Sequence, residues 1–75
     1  MDDYKARFIE EYYELGIRII KLDCLLMRHE AGLLDFELDC PAELLREQLI
    51  YMKHYLGVLN ERALIEVYKQ DWSGD

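Results

Sequence analysis

The chain has 75 residues, with nine Lys and Arg against sixteen Asp and Glu, which gives a formal net charge of −7. A domain of this size buries only about 60–65% of its unfolded surface, so it needs disulfides, a metal or partner chains for extra stability. The acidic balance argues against duplex DNA as a ligand, because clustered Lys and Arg supply most of the affinity for phosphates. A small phosphorylated ligand stays open, since two or three well-placed donors suffice.

The two cysteines allow one disulfide at most, and no basic n-region followed by an apolar segment indicates secretion. The most apolar stretch, residues 17–27, is interrupted by Arg18, Lys21 and Asp23. We therefore expect neither a signal peptide nor a membrane span. Reduced thiols and a cytoplasmic location are the expectation, which leaves partner chains as the source of extra stability.

Apolar residues recur at alternating steps of four and three along the first half of the chain, the spacing that keeps side chains on one face of a helix. They are Phe8, Tyr12, Leu15, Ile19, Leu22 and Leu26. This stripe predicts a first helix over about residues 3–29. The basic Arg28 and His29 suit its C-terminal end, and Gly32 follows as a stop signal.

A second apolar stripe lies beside the first on the same predicted helix. It consists of Ile9, Tyr13, Ile17, Ile20, Cys24 and Met27. Together the two stripes cover roughly 220° of the helix surface, whereas one partner helix buries only a single stripe. The second stripe must meet another chain or stay exposed as a large apolar patch. We therefore expect a homo-oligomer, for which periodicity alone leaves a dimer or a tetramer open.

Residues 30–40 break the helical pattern and form the predicted linker. Its apolar residues, interspersed with acids, are Leu33, Leu34, Phe36 and Leu38. We expect this linker to be structured and to pack against the end of the hairpin, because a free tether would carry fewer apolar residues. Pro41 suits the first position of a second helix over about residues 41–70, with Asp39 or Cys40 as its cap.

The second helix carries its own heptad stripe. Its members are Leu45, Leu49, Met52, Leu56, Leu59 and Ala63. In an antiparallel hairpin Leu15 faces Leu56, and Ile19 faces Met52. Residues 71–75 are expected to form a frayed tail. The sequence therefore predicts one all-α domain, an antiparallel hairpin of two long helices joined by a short structured linker, assembled into a homo-oligomeric helical bundle.

A mixed polar and aromatic stripe flanks the seam of the second helix. It contains Leu44, Gln48, Tyr51, Tyr55, Val58 and Arg62. Tyr and Arg together offer flat area and hydrogen bonds, which suits an interface core or stacking on a nucleobase. We assign this edge to an interface and keep a ligand-lining role as the alternative. The predicted interface residues, with those of the seam, are Phe8, Leu15, Ile19, Met52, Tyr55, Leu56 and Arg62.

No constellation of catalytic or metal-ligating residues stands out in the sequence. Cys24, His29, Cys40 and His54 have the count of a zinc site but not its spacing. No Glu stands three residues before a His, as in di-iron bundles, and the isolated glycines form no phosphate loop. We therefore expect no enzyme activity, no metal and no cofactor.

Two residue strings carry a family resemblance that covers the chain from Tyr4 to about Ile65. They are Tyr4-x2-Arg7-x3-Glu11 and Leu45-x2-Gln48-x3-Met52-x2-Tyr55-x3-Leu59-x2-Arg62. They resemble the small phage-encoded anti-CBASS cyclic-nucleotide sponges, the second type described. The resemblance implies a helical protein that forms a compact homohexamer in the infected bacterium. It further implies that the protein sequesters cyclic di- and trinucleotides without degrading them, so that the immune effector is never activated.

The resemblance also implies a ligand site between protomers, with a base stacked on a tyrosine and phosphates held by a lysine. The positions that it assigns to this site are Tyr12 and Lys21, with Arg18 as a second cation. Lys21 has no acid four residues away on either side, which leaves it free for a phosphate.

Two other classes of function fit the same apolar seams. One is an acidic phage or prophage inhibitor that binds a host protein, for example by imitating DNA. The net charge of −7 suggests this alternative. The other is a structural oligomerisation module. The sequence does not separate these alternatives from the cyclic-nucleotide sponge.

Overall fold

The structure is a computed structural model that describes residues 3–67 of the chain. It contains two helices, α1 (Asp3–Glu30) and α2 (Ala42–Glu66), joined by residues 31–41. No strand occurs in the described part of the chain, so the predicted all-α class is confirmed. The predicted tail and the last predicted residues of the second helix, together residues 68–75, lie outside the described residues.

α1 ends in a Schellman motif at Gly32, the predicted stop signal. Gly32 has a φ of +72°, in the left-handed region that glycine adopts without a steric penalty. Its N–H donates to the carbonyl of His29 at 3.1 Å, and the N–H of Leu33 donates to the carbonyl of Arg28 at 2.8 Å. These bonds satisfy two carbonyls that the helix end leaves unpaired. The chain therefore leaves α1 in a defined direction.

α2 begins one residue later than predicted, because Pro41 is its N-cap and not its first helical residue. Pro41 has an extended backbone with φ −61° and ψ 142°. Its carbonyl accepts hydrogen bonds from the N–H of Leu44 at 3.1 Å and of Leu45 at 3.3 Å. The prediction that Asp39 or Cys40 caps this helix is therefore wrong, since proline already occupies the cap with a backbone suited to it.

Side-chain contacts at the two ends of the hairpin fix the antiparallel order of the helices. Near the start of α1, Tyr4 donates a hydrogen bond to Glu66 at the end of α2. Near the linker, Arg46 Nη2 lies 2.6 Å from Glu30 Oε2. Later residues of α1 therefore meet earlier residues of α2. The ion pair is solvent-exposed, so it contributes at most about 1 kcal/mol and serves mainly to set the register.

The hydrophobic core is the seam between the helices. All twelve residues of the two heptad stripes belong to it, together with Ala42 and Val67. The buried members are Phe8, Leu15, Ile19, Leu26, Leu49 and Leu59. Met52 and Leu56 are half-buried and pack against this buried set. The heptad pattern therefore identified the packed face of both helices.

The second stripe of α1 is not covered by α2. We call it the exposed stripe, and its residues are Ile9, Tyr13, Ile17, Ile20, Cys24 and Met27. Its five large members have exposed fractions between 41% and 66%. A contiguous apolar surface of this kind marks an interaction site in a small protein. Within residues 3–67, neither helix combines the length and the apolarity that crossing a bilayer requires.

The linker packs against the hairpin with only part of its apolar residues. Leu34, Leu38 and Cys40 are half-buried, whereas Leu33 and Phe36 are exposed. The segment forms no helical turn between the helices beyond the turn that ends α1. It therefore presents two apolar side chains to solvent at the closed end of the hairpin.

The contribution of the seam to stability can be tested at Leu59, whose side chain is completely buried. Leu59→Ala leaves a cavity, so we expect the free energy of unfolding to fall by about 2–5 kcal/mol. Leu33→Ala removes an exposed side chain and should change it by less than about 0.5 kcal/mol. Urea unfolding followed by circular dichroism, at one fixed protomer concentration, measures both. Equal stabilities of the two variants would contradict the seam.

Candidate functional site

A cleft of about 300 Å³ lies between the N-terminal half of α1 and the C-terminal end of α2. We call it the tyrosine pocket, and its lining residues are Phe8, Ile9, Tyr12, Tyr13, Ala63 and Val67. Phe8 and Ala63 belong to the seam, whereas Ile9 and Tyr13 belong to the exposed stripe. The pocket therefore lies where the hydrophobic core meets the uncovered face of α1.

Two adjacent tyrosines shape this pocket. The ring centroids of Tyr12 and Tyr13 lie 6.0 Å apart with an interplanar angle of 74°, an edge-to-face geometry that aromatic pairs favour. Tyr12 is half-buried against the core, and its hydroxyl donates a hydrogen bond to Oδ1 of Asn60 on α2. Tyr13 is 66% exposed. The pair thus combines a ring tied to both helices with a ring open to solvent.

The side chains that line the tyrosine pocket are suited to contact with flat apolar groups. Its surface consists of aromatic and aliphatic side chains with the two tyrosine hydroxyls as polar groups. Flat apolar rings stack on tyrosine faces, and tyrosine hydroxyls hydrogen-bond to ring edges. None of the pocket's lining side chains is a carboxylate, histidine, serine or cysteine, the groups that most often serve as general acid, base or nucleophile.

The two cations assigned by resemblance lie away from the tyrosine pocket of the same chain. Arg18 and Lys21 are both exposed on α1. Lys21 is about 180° around the helix from Tyr12 and roughly 13 Å along it, and Arg18 is about 120° and roughly 9 Å away. Arg18 and Lys21 lie within about 60° of each other and form one basic edge. A single chain therefore does not bring Tyr12 and Lys21 to one small ligand.

The exposed stripe separates these two groups. Ile9 precedes Tyr12 by three residues, and Ile17 precedes Lys21 by four, so each pair forms neighbours on the helix surface. Tyr12 therefore borders the stripe on one side and Lys21 borders it on the other. A second chain that covered the stripe would lie against both borders.

A polar cluster lies beside the tyrosine pocket. We call it the arginine cluster, and its residues are Tyr4, Phe8, Arg62 and Glu66. The Arg62 guanidinium lies over the Phe8 ring, 4.7 Å from its centroid. Its Nε donates to Glu66 Oε2 at 2.9 Å, and its Nη2 donates to the Tyr4 hydroxyl at 2.6 Å. Arg62, predicted for an interface, thus makes its polar contacts within its own hairpin.

These contacts shift the pKa values of the groups that make them. Hydrogen bonds from Arg62, and secondarily from Tyr4, lower the pKa of the Glu66 carboxyl. The same bond to Glu66 raises the pKa of Arg62. Tyr55 donates a hydrogen bond to Glu11, which raises the pKa of Tyr55. The hydroxyl of Tyr55, the other polar residue predicted for an interface, therefore also bonds within its own chain.

A shallow groove of about 460 Å³ follows the outer edge of α2. Its lining residues are Leu44, Glu47, Gln48, Tyr51, Met52 and Tyr55. They include four members of the mixed stripe that the sequence placed beside the seam. Gln48 Nε2 lies 3.7 Å from the Met52 sulfur, so Met52 takes part in both the seam and the groove. The groove is mostly apolar and open to solvent.

Sequence reasoning did not select Asn60 or Glu66, the α2 residues that accept hydrogen bonds from Tyr12 and Tyr4. Both occupy ordinary polar positions outside the heptad stripe. The signal that would have found them is the antiparallel register, which places polar residues near the end of α2 opposite tyrosines near the start of α1.

These features define a small all-helical hairpin with an aromatic pocket beside an uncovered apolar stripe. The model of the Sequestin family matches residues 2–65. The chain therefore belongs to the Sequestin family, whose name points to a sequestering role. Searches of curated proteins and of solved structures found no match.

Glu66 is expected to make an acid-sensitive contribution to stability. Its pKa is lowered in the folded chain from an ordinary value of 4.5. The contribution is therefore present above that value and lost as the pH falls through the lowered pKa. Glu66→Gln removes the carboxylate, so its loss of stability relative to the wild type should be present at about pH 7 and shrink toward about pH 3.

Chemical denaturation across this pH range measures the effect, with the exposed Glu47→Gln as the matched control. The control should follow the wild type closely at every pH. A loss of stability in Glu66→Gln that stayed constant with pH would contradict the role of the carboxylate.

Proposed function

We propose that this chain is a non-catalytic binding protein that forms a homo-oligomer and sequesters cyclic oligonucleotides between its protomers. In this proposal it is encoded by a phage and acts in the cytoplasm of the infected bacterium. There it withholds cyclic di- and trinucleotide signals from immune effectors. Membership of the Sequestin family supports the sequestering role. The resemblance to the anti-CBASS sponges supports the ligand class.

The position of the tyrosine pocket at the border of the exposed stripe carries the proposal. A nucleobase has a flat π-face that stacks on tyrosine, and each stacked base contributes about 1–3 kcal/mol. The pocket, at about 300 Å³, has the size of a small ligand site. Its wall includes Ile9 and Tyr13 of the stripe, so a chain that covers the stripe would also complete the pocket.

A site shared between protomers follows from the positions of Tyr12 and Lys21 on opposite sides of α1. The phosphates of a ligand stacked on Tyr12 would be held by Lys21 and Arg18 of another protomer. Two stacked bases and two charged hydrogen bonds give roughly 5–12 kcal/mol, and a sub-micromolar Kd needs about 8 kcal/mol. The oligomer must therefore preorganise the site, because the ordering of side chains on binding subtracts from this sum.

Self-association is tested by the mass of the particle in solution. The resemblance favours a homohexamer, so light scattering at micromolar concentration should give a mass of about six chains. Ile20→Glu places a charge within the exposed stripe and should reduce the mass. Leu33→Glu, the same kind of change in the linker, should leave the mass unchanged. A wild-type protein that runs as a monomer would refute the assembly and the shared site together.

Ligand binding is tested by titration calorimetry against a panel of cyclic di- and trinucleotides. Wild-type protein should bind at least one of them, and denaturation should release that ligand intact. Tyr12→Ala and Lys21→Ala should each weaken binding at least about tenfold, since each removes a stacking or charged contact. Lys53→Ala removes an exposed charge on α2 and should bind like the wild type. A cleaved ligand would instead indicate an enzyme.

The shared site makes a further prediction for mixed oligomers. Tyr12→Ala and Lys21→Ala protomers, refolded together in equal amounts, should recover roughly a quarter of the wild-type sites, because random mixing pairs an intact Tyr12 with an intact Lys21 at that frequency. Each variant alone should recover no sites of wild-type affinity and should show only the weakened binding expected of the single change. If the mixture fails to bind although its mass verifies hetero-oligomers, Tyr12 and Lys21 of different protomers do not form one site.

The linker favours a second candidate function, inhibition of a basic host protein. Leu33 and Phe36 are exposed among the acids Asp35, Glu37 and Asp39, and apolar side chains set in negative charge suit a basic protein surface. Capture of a basic protein from host lysate, lost at high salt and lost in Phe36→Ser, would support this function. The same variant should keep full cyclic-nucleotide binding if the sponge function holds.

A further inference from the structure

We propose that Asn60 is a positioning residue for Tyr12, and that it fixes the tyrosine ring in the orientation that a stacked base needs. The inference rests on the proposed function, since it concerns the same site. Its basis is the hydrogen bond from the Tyr12 hydroxyl to Asn60 Oδ1, which crosses from α1 to α2. Tyr12 is thereby held at both ends, by its own backbone in α1 and by the tip of its ring.

Among the described residues, Asn60 is the hydrogen-bond partner of the Tyr12 hydroxyl at the tip of the ring. Tyr12 packs against the seam, and the Tyr13 ring meets its ring edge to face at 6.0 Å between centroids. Asn60 is itself exposed, so the bond adds little to the core. Ordering of the ring before a ligand arrives removes an entropy cost from binding, which corresponds to roughly 2–10-fold in Kd.

The chemistry of the acceptor distinguishes Tyr12 from the other tyrosines of the hairpin. Within residues 3–67, three tyrosine hydroxyls donate across the helix pair. Tyr4 donates to Glu66 and Tyr55 donates to Glu11, both carboxylates, whereas Tyr12 donates to a neutral amide oxygen. A neutral acceptor holds the ring without placing negative charge beside an anionic ligand. Asn60 therefore suits a tyrosine that receives a phosphorylated molecule.

Three variants separate positioning from charge. Asn60→Ala removes the acceptor, Tyr12→Phe removes the donor, and Asn60→Asp keeps an acceptor but adds a negative charge. Each is measured as the assembled protein, with mass and helical circular dichroism as controls for folding. The probes are 3′,3′-cyclic di-AMP and 3′,3′-cyclic GMP–AMP in titration calorimetry, and the ring resonances of Tyr12 in protein labelled with ¹³C-tyrosine.

Asn60→Ala and Tyr12→Phe should each weaken binding roughly 2–10-fold, and the double variant should bind no more weakly than either, because both changes break one contact. In ligand-free Asn60→Ala the Tyr12 ring resonances should shift and average. Asn60→Asp should keep the ring resonances of the wild type but bind more weakly at low salt, with the difference decreasing as salt screens the added charge.

The outcomes that overturn the inference differ from those that overturn the proposed function. If the wild type binds a probe and Asn60→Ala binds it equally well, the inference fails and the proposed function stands. Additive losses in the double variant, or ring resonances unchanged by Asn60→Ala, also overturn the inference. If the wild type binds another member of the cyclic di- and trinucleotide panel but neither probe, that member takes the place of the probes. If it binds no member of the panel, the proposed function fails, and the positioning role fails with it.

Discussion

Two helices can bury only one stripe of side chains each, and the rest of the structure depends on this limit. In this hairpin the buried stripe of each helix is its heptad stripe, since all of the heptad residues lie in the seam. The exposed stripe of α1 is then left largely open to solvent by the described residues of the hairpin, although its large members are hydrophobic. The described residues form two helices and no further layer that could cover it. In the proposed function, a further copy of the chain covers this face.

The polar contacts at the edges of the seam follow from the same geometry. A tyrosine beside the seam can pack its ring on the apolar face while its hydroxyl reaches the opposite helix, as Tyr12 does. Tyr4, Tyr12 and Tyr55 all donate hydrogen bonds across the pair. Such bonds set the register more than they stabilise the fold, because exposed polar contacts contribute little in water. The register in turn decides which α2 residue stands beside each tyrosine, and so which chemistry surrounds the tyrosine pocket.

The sequence predicted the features that depend on periodicity and on local backbone chemistry. Heptad spacing identified the buried face, and Gly32 marked the end of α1. Both signals are local, because they depend on residues that are close together in the sequence. The prediction placed the start of α2 one residue too early, since proline fits both the cap and the first helical position. The contacts of Asn60 and Glu66 depend on which side chains meet across the seam. Periodicity restricts that choice to a face of α2 but does not specify the residue.

The opposite placement of Tyr12 and Lys21 links ligand binding to assembly in the proposed function. A ligand that needs both residues can bind only where two chains meet, so free protomers contribute no complete site. By mass action, binding then stabilises the assembled form over separate chains, to an extent set by the ratio of free ligand to Kd. Burial of the exposed stripe and binding of the ligand are then thermodynamically coupled. A small acidic chain can thereby hold an anionic ligand, because the basic edge of one protomer supplies the positive charge that the tyrosine pocket of another lacks.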